Sequence, residues 1–334
     1  MKRLRPLSVV ALSAALAAAT PACDDPQPIE PEQAAPAVGT LELPISLRYD
    51  TTAPSGAVAI EISPTELRVE GQPVLPLEGG RVPDSERAGT SLPKLAEALR
   101  SGPARRLAQL RVHGNVPYLT TALVLSTLKD ANIHQAAFAV RQGTGTEVGY
   151  LTLDRFDVRE ETDEQWASFP PTHQRHWDEL APHWEAMSAA CRENHSVDCD
   201  FKPANIAEGG ELQITLFARG NAVKVELERF GAEEPEPTAA AGPALIEGIA
   251  PEPTAEEEES PPATSATFTW RFQATTSEPS PVALTMRELC GAQPCGALVT
   301  AEGQTMTMRV LSLIGAAFPN GSPAPQLLFE IPPR

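Results

Sequence analysis

Aromatic residues are scarce in this chain, at 5%, and basic residues are outnumbered 26 to 44 by acidic ones, for a net charge of −18 at pH 7. Such a surface repels phosphate backbones and anionic lipid, so nucleic acid is excluded as a partner. After the first twenty residues no apolar run approaches the roughly 20 residues that span a bilayer. Also missing are a G-x-S-x-G nucleophile elbow, a P-loop and an H-E-x-x-H helix. Gly143-Thr144-Gly145 with Gly149 is one residue out of dinucleotide-loop spacing, and it leads into a strand, where no helix dipole awaits a phosphate. Carboxylates are abundant, yet none sits in the apolar setting that turns one into a catalytic acid. The sequence therefore gives no reason to expect a catalytic residue, a cofactor or a resident metal.

Cysteine is limited to five residues in 334, and their placement is informative. Lys2, Arg3 and Arg5 precede a short apolar run, Pro6 to Ala19, and then Thr20-Pro21-Ala22-Cys23. A charged start, a short apolar core and a small-residue site form an export signal. The arrangement is similar to a bacterial lipoprotein signal over residues 1–22, with Cys23 as the lipidated residue, although Thr20 and Pro21 depart from the usual lipobox. Plain secretion is the alternative. The other cysteines fall in two local pairs, Cys191 with Cys199 and Cys290 with Cys295, which in an exported chain read as two small disulfide loops. A zinc site on Cys191, His195 and Cys199 would lack a fourth ligand.

Residues 23–38 are polar and proline-rich, a tether that cannot bury enough apolar surface to fold. Leu41, Leu43, Ile45 and Leu47 then alternate with polar residues, as in a half-buried strand. A hairpin is expected from Val58–Ile62 and Glu66–Glu70, with Gly71-Gln72-Pro73-Val74 leading out into a loop. Ser91 is placed to cap a helix over Leu92–Arg100. A β-α-β unit follows, organised as strand Leu107–Val112, the turn Gly114-Asn115-Val116-Pro117, helix Tyr118–Ala131 and strand Gln135–Arg141. Asn132 stands where a helix C-terminus needs a left-handed residue. A further strand is expected over Val148–Leu153. His113, at the end of a strand beside a turn, is a candidate binding residue; the plainer reading is a histidine bonded into its own loop.

The order of these parts, with Val69 through Val74, Val116-Pro117-Tyr118 and Asn132-Ile133, resembles the periplasmic domain of the ExbD/TolR biopolymer-transport family over residues 58–141. The resemblance implies a small sheet with two helices on one face, self-association, and envelope partners such as ExbB/TolQ-type motor subunits or energy-transducing subunits. His113-Gly114 replaces an acidic residue common before the turn. Family members also carry a transmembrane helix with a proton-linked Asp, where this chain has a signal sequence with Asp24 and Asp25 beyond it. The proton-channel role is therefore not carried over.

Trp177, Leu180, Trp184, Met187 and Cys191 fall on one side of a helical stretch within a connector spanning 157–208. His173, His176 and His183 lie in or near it and read as interfacial residues rather than ligands. The remainder, 209–334, repeats the first half (39–156). Gly210, Leu212, Ile214 and Leu216 match Gly39, Leu41, Leu43 and Ile45; Val282–Cys290 matches Leu92–Arg100; Met306, Val310, Leu311 and Leu313 match Tyr118, Ala122, Leu123 and Leu125; Phe329 matches Phe138. The acidic stretch 232–262, with Glu256 to Glu259, is an insertion in the second copy and reads as a solvated spacer.

The expectation is an α+β protein of two tandem small sheets, each with two helices packed on one face. It is a non-catalytic envelope lipoprotein, periplasm-facing and held to the membrane only by its lipid, that binds envelope proteins. Peptidoglycan binding is one alternative. An envelope hydrolase with an unrecognised site is the other.

Overall fold

Val58, Ile60 and Ile62 alternate with Ala59 and Glu61, and in the computed structural model the first set is buried beneath a sheet while the second faces outward. The structure describes residues 41–142, 145–160, 211–219, 222–230, 265–271, 281–290 and 296–332. All of them belong to one unit, Thr40–Arg334. Cys23, Cys191, Cys199, Cys295, the histidines of the connector, residues 161–210 and the acidic insertion lie outside the described residues.

The first sheet contains β1 (Ile45–Ser46), β2 (Val58–Ile62), β3 (Glu66–Val69), β4 (Gln72–Pro76), β5 (Leu107–Val112), β6 (Gln135–Gln142) and β7 (Val148–Leu153). Strands β2, β5 and β6 run parallel; β3 and β4 continue antiparallel from β2, β7 lies antiparallel along β6, and β1 joins the end of β6. The expected exit loop at residues 71–74 is instead the start of β4. Glu70 and Gly71 both take positive φ, 50° and 77°, which makes a two-residue hairpin turn whose twist matches its flanking strands. Pro73 and Pro76 fit within β4 because it is an edge strand and need not donate outward.

Helix α1 (Pro93–Ser101) starts one residue later than expected, and Ser91 does not cap it. Leu92 is the N-cap residue, without a side-chain cap bond, and Pro93 opens the helix, where a missing N–H costs nothing. The Leu92 N–H goes to Thr127 Oγ1 at 2.9 Å, on helix α2 (Tyr118–Asp130), so a tertiary bond replaces the local one. Helix α2 is buried nearly all round, from Tyr118 to Leu128. It ends as the sequence implies: Asn132 takes φ 61°, Ile133 N–H donates to Leu128 O at 2.9 Å and Asn132 N–H to Lys129 O at 2.8 Å. These are the paired bonds of a Schellman motif.

The second sheet holds β8 (Arg155–Glu160), β9 (Glu211–Arg219), β10 (Ala222–Phe230), β11 (Ser265–Arg271), β12 (Gly296–Ala301) and β13 (Gln326–Ile331), with helices α3 (Pro281–Cys290) and α4 (Thr307–Ala317) between its later strands. Its order, β11-β10-β9-β12-β13-β8, repeats β4-β3-β2-β5-β6-β1 strand for strand. Registers agree as well. Val69, Ile60, Leu110 and Phe138 lie in one row across the first sheet, and Val225, Leu216, Val299 and Phe329 form the same row in the second. All eight are buried.

This topology corrects the sequence alignment of the repeat at its start. The counterpart of β9 is β2, and that of β1 is β8. The match between 39–45 and 210–216 rested on alternation alone, which any half-buried strand shares. It also moves a boundary, since β8 crosses the division expected at 156/157 and pairs with β13. The acidic insertion falls between β10 and β11, where the first half has only Glu70 and Gly71.

The fold is α+β, with two mixed sheets each carrying two helices. The apolar interior is one continuous cluster in which Ile60, Leu110, Leu123 and Phe138 join Leu216, Val299, Ile314 and Phe329. The strand expected from Gly39 shrinks to Ile45–Ser46 because this segment is shared between halves. Ser46 Oγ donates to Arg48 O at 2.7 Å and accepts from Arg48 N at 3.1 Å, turning the chain away from the ladder. The Ser312 hydroxyl on α4 donates to Ile45 O at 2.6 Å.

Gly315 on α4 permits that approach. A Cβ there would overlap Ser46 Oγ and come within 3.0 Å of Leu47 N. Helix propensity alone favours Gly315→Ala by about 1 kcal/mol. Overpacking costs about 1–3 kcal/mol, so the variant is predicted to lower the denaturant midpoint. A raised midpoint would contradict the packing account.

Candidate functional site: the junction of the two halves

The turn after β5 is where the halves meet. His113 N–H donates to Ile62 O at 2.8 Å, Val116 N–H to His113 O at 2.9 Å, and Gly114 N–H to Glu42 O at 2.7 Å. The His113 ring accepts the Asn115 N–H through Nδ1 at 3.2 Å, an edge histidine bonded into its own loop. Gly114 has no space for a Cβ: Met308 Cε would be overlapped and Glu42 O lies 3.2 Å away. Glycine at 114 is thus required by the close approach of Met308 and of the Glu42 carbonyl.

Beyond that turn the contacts come in exchanged pairs. Pro117 and Met306 form an antiparallel bridge. Tyr118 N–H donates to Thr305 O at 2.7 Å, and Thr307 N–H to Val116 O at 2.8 Å. Leu119 N–H donates to Gly303 O at 3.3 Å, and Met308 N–H to Gly114 O at 3.1 Å. Since α2 begins at Tyr118 and α4 at Thr307, each bond is the image of its partner under exchange of the halves. These bonds also satisfy N–H groups at the starts of α2 and α4, which have no acceptor inside their own helices.

Side chains fix the junction. Tyr118 is fully buried, and its hydroxyl lies 2.8 Å from Glu330 O and 3.1 Å from Val299 O, both in the second sheet. Burial, and next the nearby Glu330 carboxylate, push the Tyr118 phenol well above its ordinary range. Thr121 and Thr307 pair through their hydroxyls at 2.7 Å. Lys129, near the end of α2, donates to Val158 O and pairs with Asp157, each at 2.7 Å, so β8 is held to the other half's helix.

A strap at residues 42–50 does the reciprocal work. Arg48 Nη1 lies 3.1 Å from Ser322 O, 3.3 Å from Pro323 O and 3.4 Å from Phe318 O, just past the end of α4. The guanidinium there meets the C-cap carbonyl of α4, which the helix cannot satisfy itself, and two carbonyls of the turn beyond it. Burial lowers its pKa, with Asp50 and Asp154 opposing that shift. Tyr49 N–H donates to Asn320 Oδ1 at 2.9 Å, and Asn320 N–H to Leu47 O at 3.2 Å.

The Glu330 carboxylate in the second sheet is engaged structurally. Glu330 is buried, with Oε2 receiving Arg159 Nε at 3.0 Å and Nη2 at 2.6 Å, and Oε1 receiving the Thr300 hydroxyl at 3.0 Å. Among the described residues no three His, Cys, Asp or Glu side chains gather where they could hold a metal ion, and no helix is long and apolar enough to cross a membrane. Of the cysteines expected in disulfides, Cys290 is described; it is disulfide-bonded and buried at the end of α3. The sequence reading singled out Val116-Pro117-Tyr118 and Met306 but not their mutual contact. The signal was present, since aligning the two helix starts places Pro117 opposite Met306.

Tyr118→Phe leaves two buried carbonyls without the hydroxyl and is predicted to destabilise by about 1–3 kcal/mol in urea. Because the folded phenol ionises well above the unfolded value of about 10, its contribution is fully present below pH 10 and falls as pH rises beyond it. The wild type should lose stability above that pH more steeply than Tyr118→Phe. Parallel pH profiles would contradict the placement of this hydroxyl.

Set against protein-family models, curated proteins and solved structures, the chain has no match among any of the three.

Proposed function

We propose that the protein is a non-catalytic cell-envelope lipoprotein whose paired modules bind or scaffold envelope proteins, in a system of the biopolymer-transport type. The observation that carries this reading is the junction itself. The residues behind the ExbD/TolR resemblance each hold a structural position: Glu70-Gly71 turns the first hairpin, Val116-Pro117-Tyr118 joins the halves, and Asn132-Ile133 closes α2. Two joined modules of one topology supply a rigid frame, and their outer strands supply the contact surface. Its partners would be ExbB/TolQ-type motor subunits or energy-transducing subunits, with Cys23 carrying the lipid.

The two sheet edges are not equivalent. At the edge of the first sheet, β4 lacks an N–H at Pro73 and Pro76, which discourages strand addition. Its counterpart β11 contains no proline, and among the described residues no strand pairs with its outer side. An extended partner segment would add there through main-chain hydrogen bonds.

Crosslinking in intact cells, followed by mass spectrometry of attached peptides, tests this reading. Capture of a motor or transducing subunit is expected, with attachment near β11. Thr267→Pro and Phe268→Pro are predicted to reduce capture by at least about tenfold for the position whose N–H points outward, with the fold retained. Recovery of cell-wall fragments alone would favour peptidoglycan binding. Cys23→Ser should move the protein from the membrane to the soluble fraction; continued membrane retention would contradict the lipid anchor.

A further inference from the structure

Exchanged contacts of the kind found at Pro117 and Met306 define an isologous interface, in which the same patch on two bodies meets itself. Residue i of one touches residue j of the other, and j touches i. A head-to-tail contact between two repeats would instead place different patches together and leave one patch unused at each end. Here the Tyr118 and Thr307 amides exchange bonds with the Thr305 and Val116 carbonyls, and the Leu119 and Met308 amides do the same with those of Gly303 and Gly114. Close approach repeats the symmetry: Met308 fills the space beside Gly114, and Leu119 faces the space beside Gly303. Larger elements follow suit. Strand β1 belongs to the first sheet and packs on α4, while β8 belongs to the second and packs on α2.

We infer that the patch formed by Gly114–Thr121 and the strap 42–50 is a docking surface for a second module of this same topology, and that the chain fills it internally. The intact protein is then a monomer that supplies, in one polypeptide, the two-fold frame that two copies would otherwise build. Among the described residues, the isologous patch of each half is occupied by the other half. An envelope partner that recognises the two-fold frame takes one chain per site, and it meets two halves of unlike chemistry. At equivalent positions on the face away from the shared core the first sheet carries Arg111 where the second carries Thr300.

The rival arrangement is a swapped dimer, in which β9 to β13 of one chain complete the first half of another. Both arrangements contain the same junction, so only covalent connectivity separates them. The Thr121 and Thr307 hydroxyl oxygens are 2.7 Å apart, so the two side chains meet across the seam, where a disulfide would ask for a Cβ separation of about 3.5–4.5 Å. One residue lies on each side of the swap point.

The test is the intact chain with Cys23→Ser, which removes the expected lipid site, carrying Thr121→Cys and Thr307→Cys and oxidised mildly. Peptide mapping should find a 121–307 disulfide, and the product should have the mass of one chain. The same background with Thr121 and Thr307 retained should sediment as a monomer across about a hundredfold range of concentration. A covalent dimer joined through 121–307 overturns the inference. So does a dimer in sedimentation, and so do two free thiols that remain unlinked after oxidation, because the two sites would then not face each other.

Discussion

The architecture depends on four backbone hydrogen bonds at the point where the two halves touch. A helix leaves its first N–H groups without acceptors inside its own turns. In this protein α2 and α4 solve that problem for each other: each passes N–H groups to the carbonyls just before the other helix. Because Tyr118 and Thr307 are buried, leaving their N–H groups unmet would cost about 1–3 kcal/mol apiece. Neither half therefore closes well without the other. The buried Tyr118, the Thr121–Thr307 pair and the continuous apolar cluster are arranged around that seam.

Two further features follow from it. Strands β1 and β8 each stay in their own sheet yet lie against the opposite half's helix, so their ladders are supplemented by side-chain bonds from across the junction, Ser312 to Ile45 O and Lys129 to Val158 O. Glycine appears at 315 because backbone of the strap passes there, and at 114 because the Met308 side chain and the Glu42 carbonyl crowd it. The strap 42–50 links the chain's N-terminal side to the far end of α4 through Arg48. In the proposed role, a pull on the lipid-bearing tether would reach both halves at once instead of only the first.

Much of this was legible in the sequence. Strands β2, β5 and β7 and helix α2 fall within a residue of their expected bounds because period-two alternation, the Gly114-to-Pro117 turn and Asn132 are local signals. Phe138 and Phe329 do occupy equivalent positions. What escaped was decided by tertiary contact. Strand β4 contains two prolines, and only its place at an edge makes it a strand. The start of α1 is held by Thr127 rather than by Ser91. Residues 41–48 alternate like a strand, but their hydrogen bonds are divided between two modules. The junction was hidden for the same reason: a contact between equivalent segments carries no local signature, and the repeat alignment was one residue out there.

The central claim is that the two halves form a single cooperative body through the exchanged bonds at Pro117 and Met306. Amide hydrogen exchange of the intact protein, resolved at Tyr118, Leu119, Thr307 and Met308, tests it most directly. The account predicts that all four amides are protected and open together, with the free energy of global unfolding. If Thr307 and Met308 exchanged freely while Tyr118 and Leu119 stayed protected, or if the two pairs opened with clearly different energies, the halves would be separate domains and the account would fail.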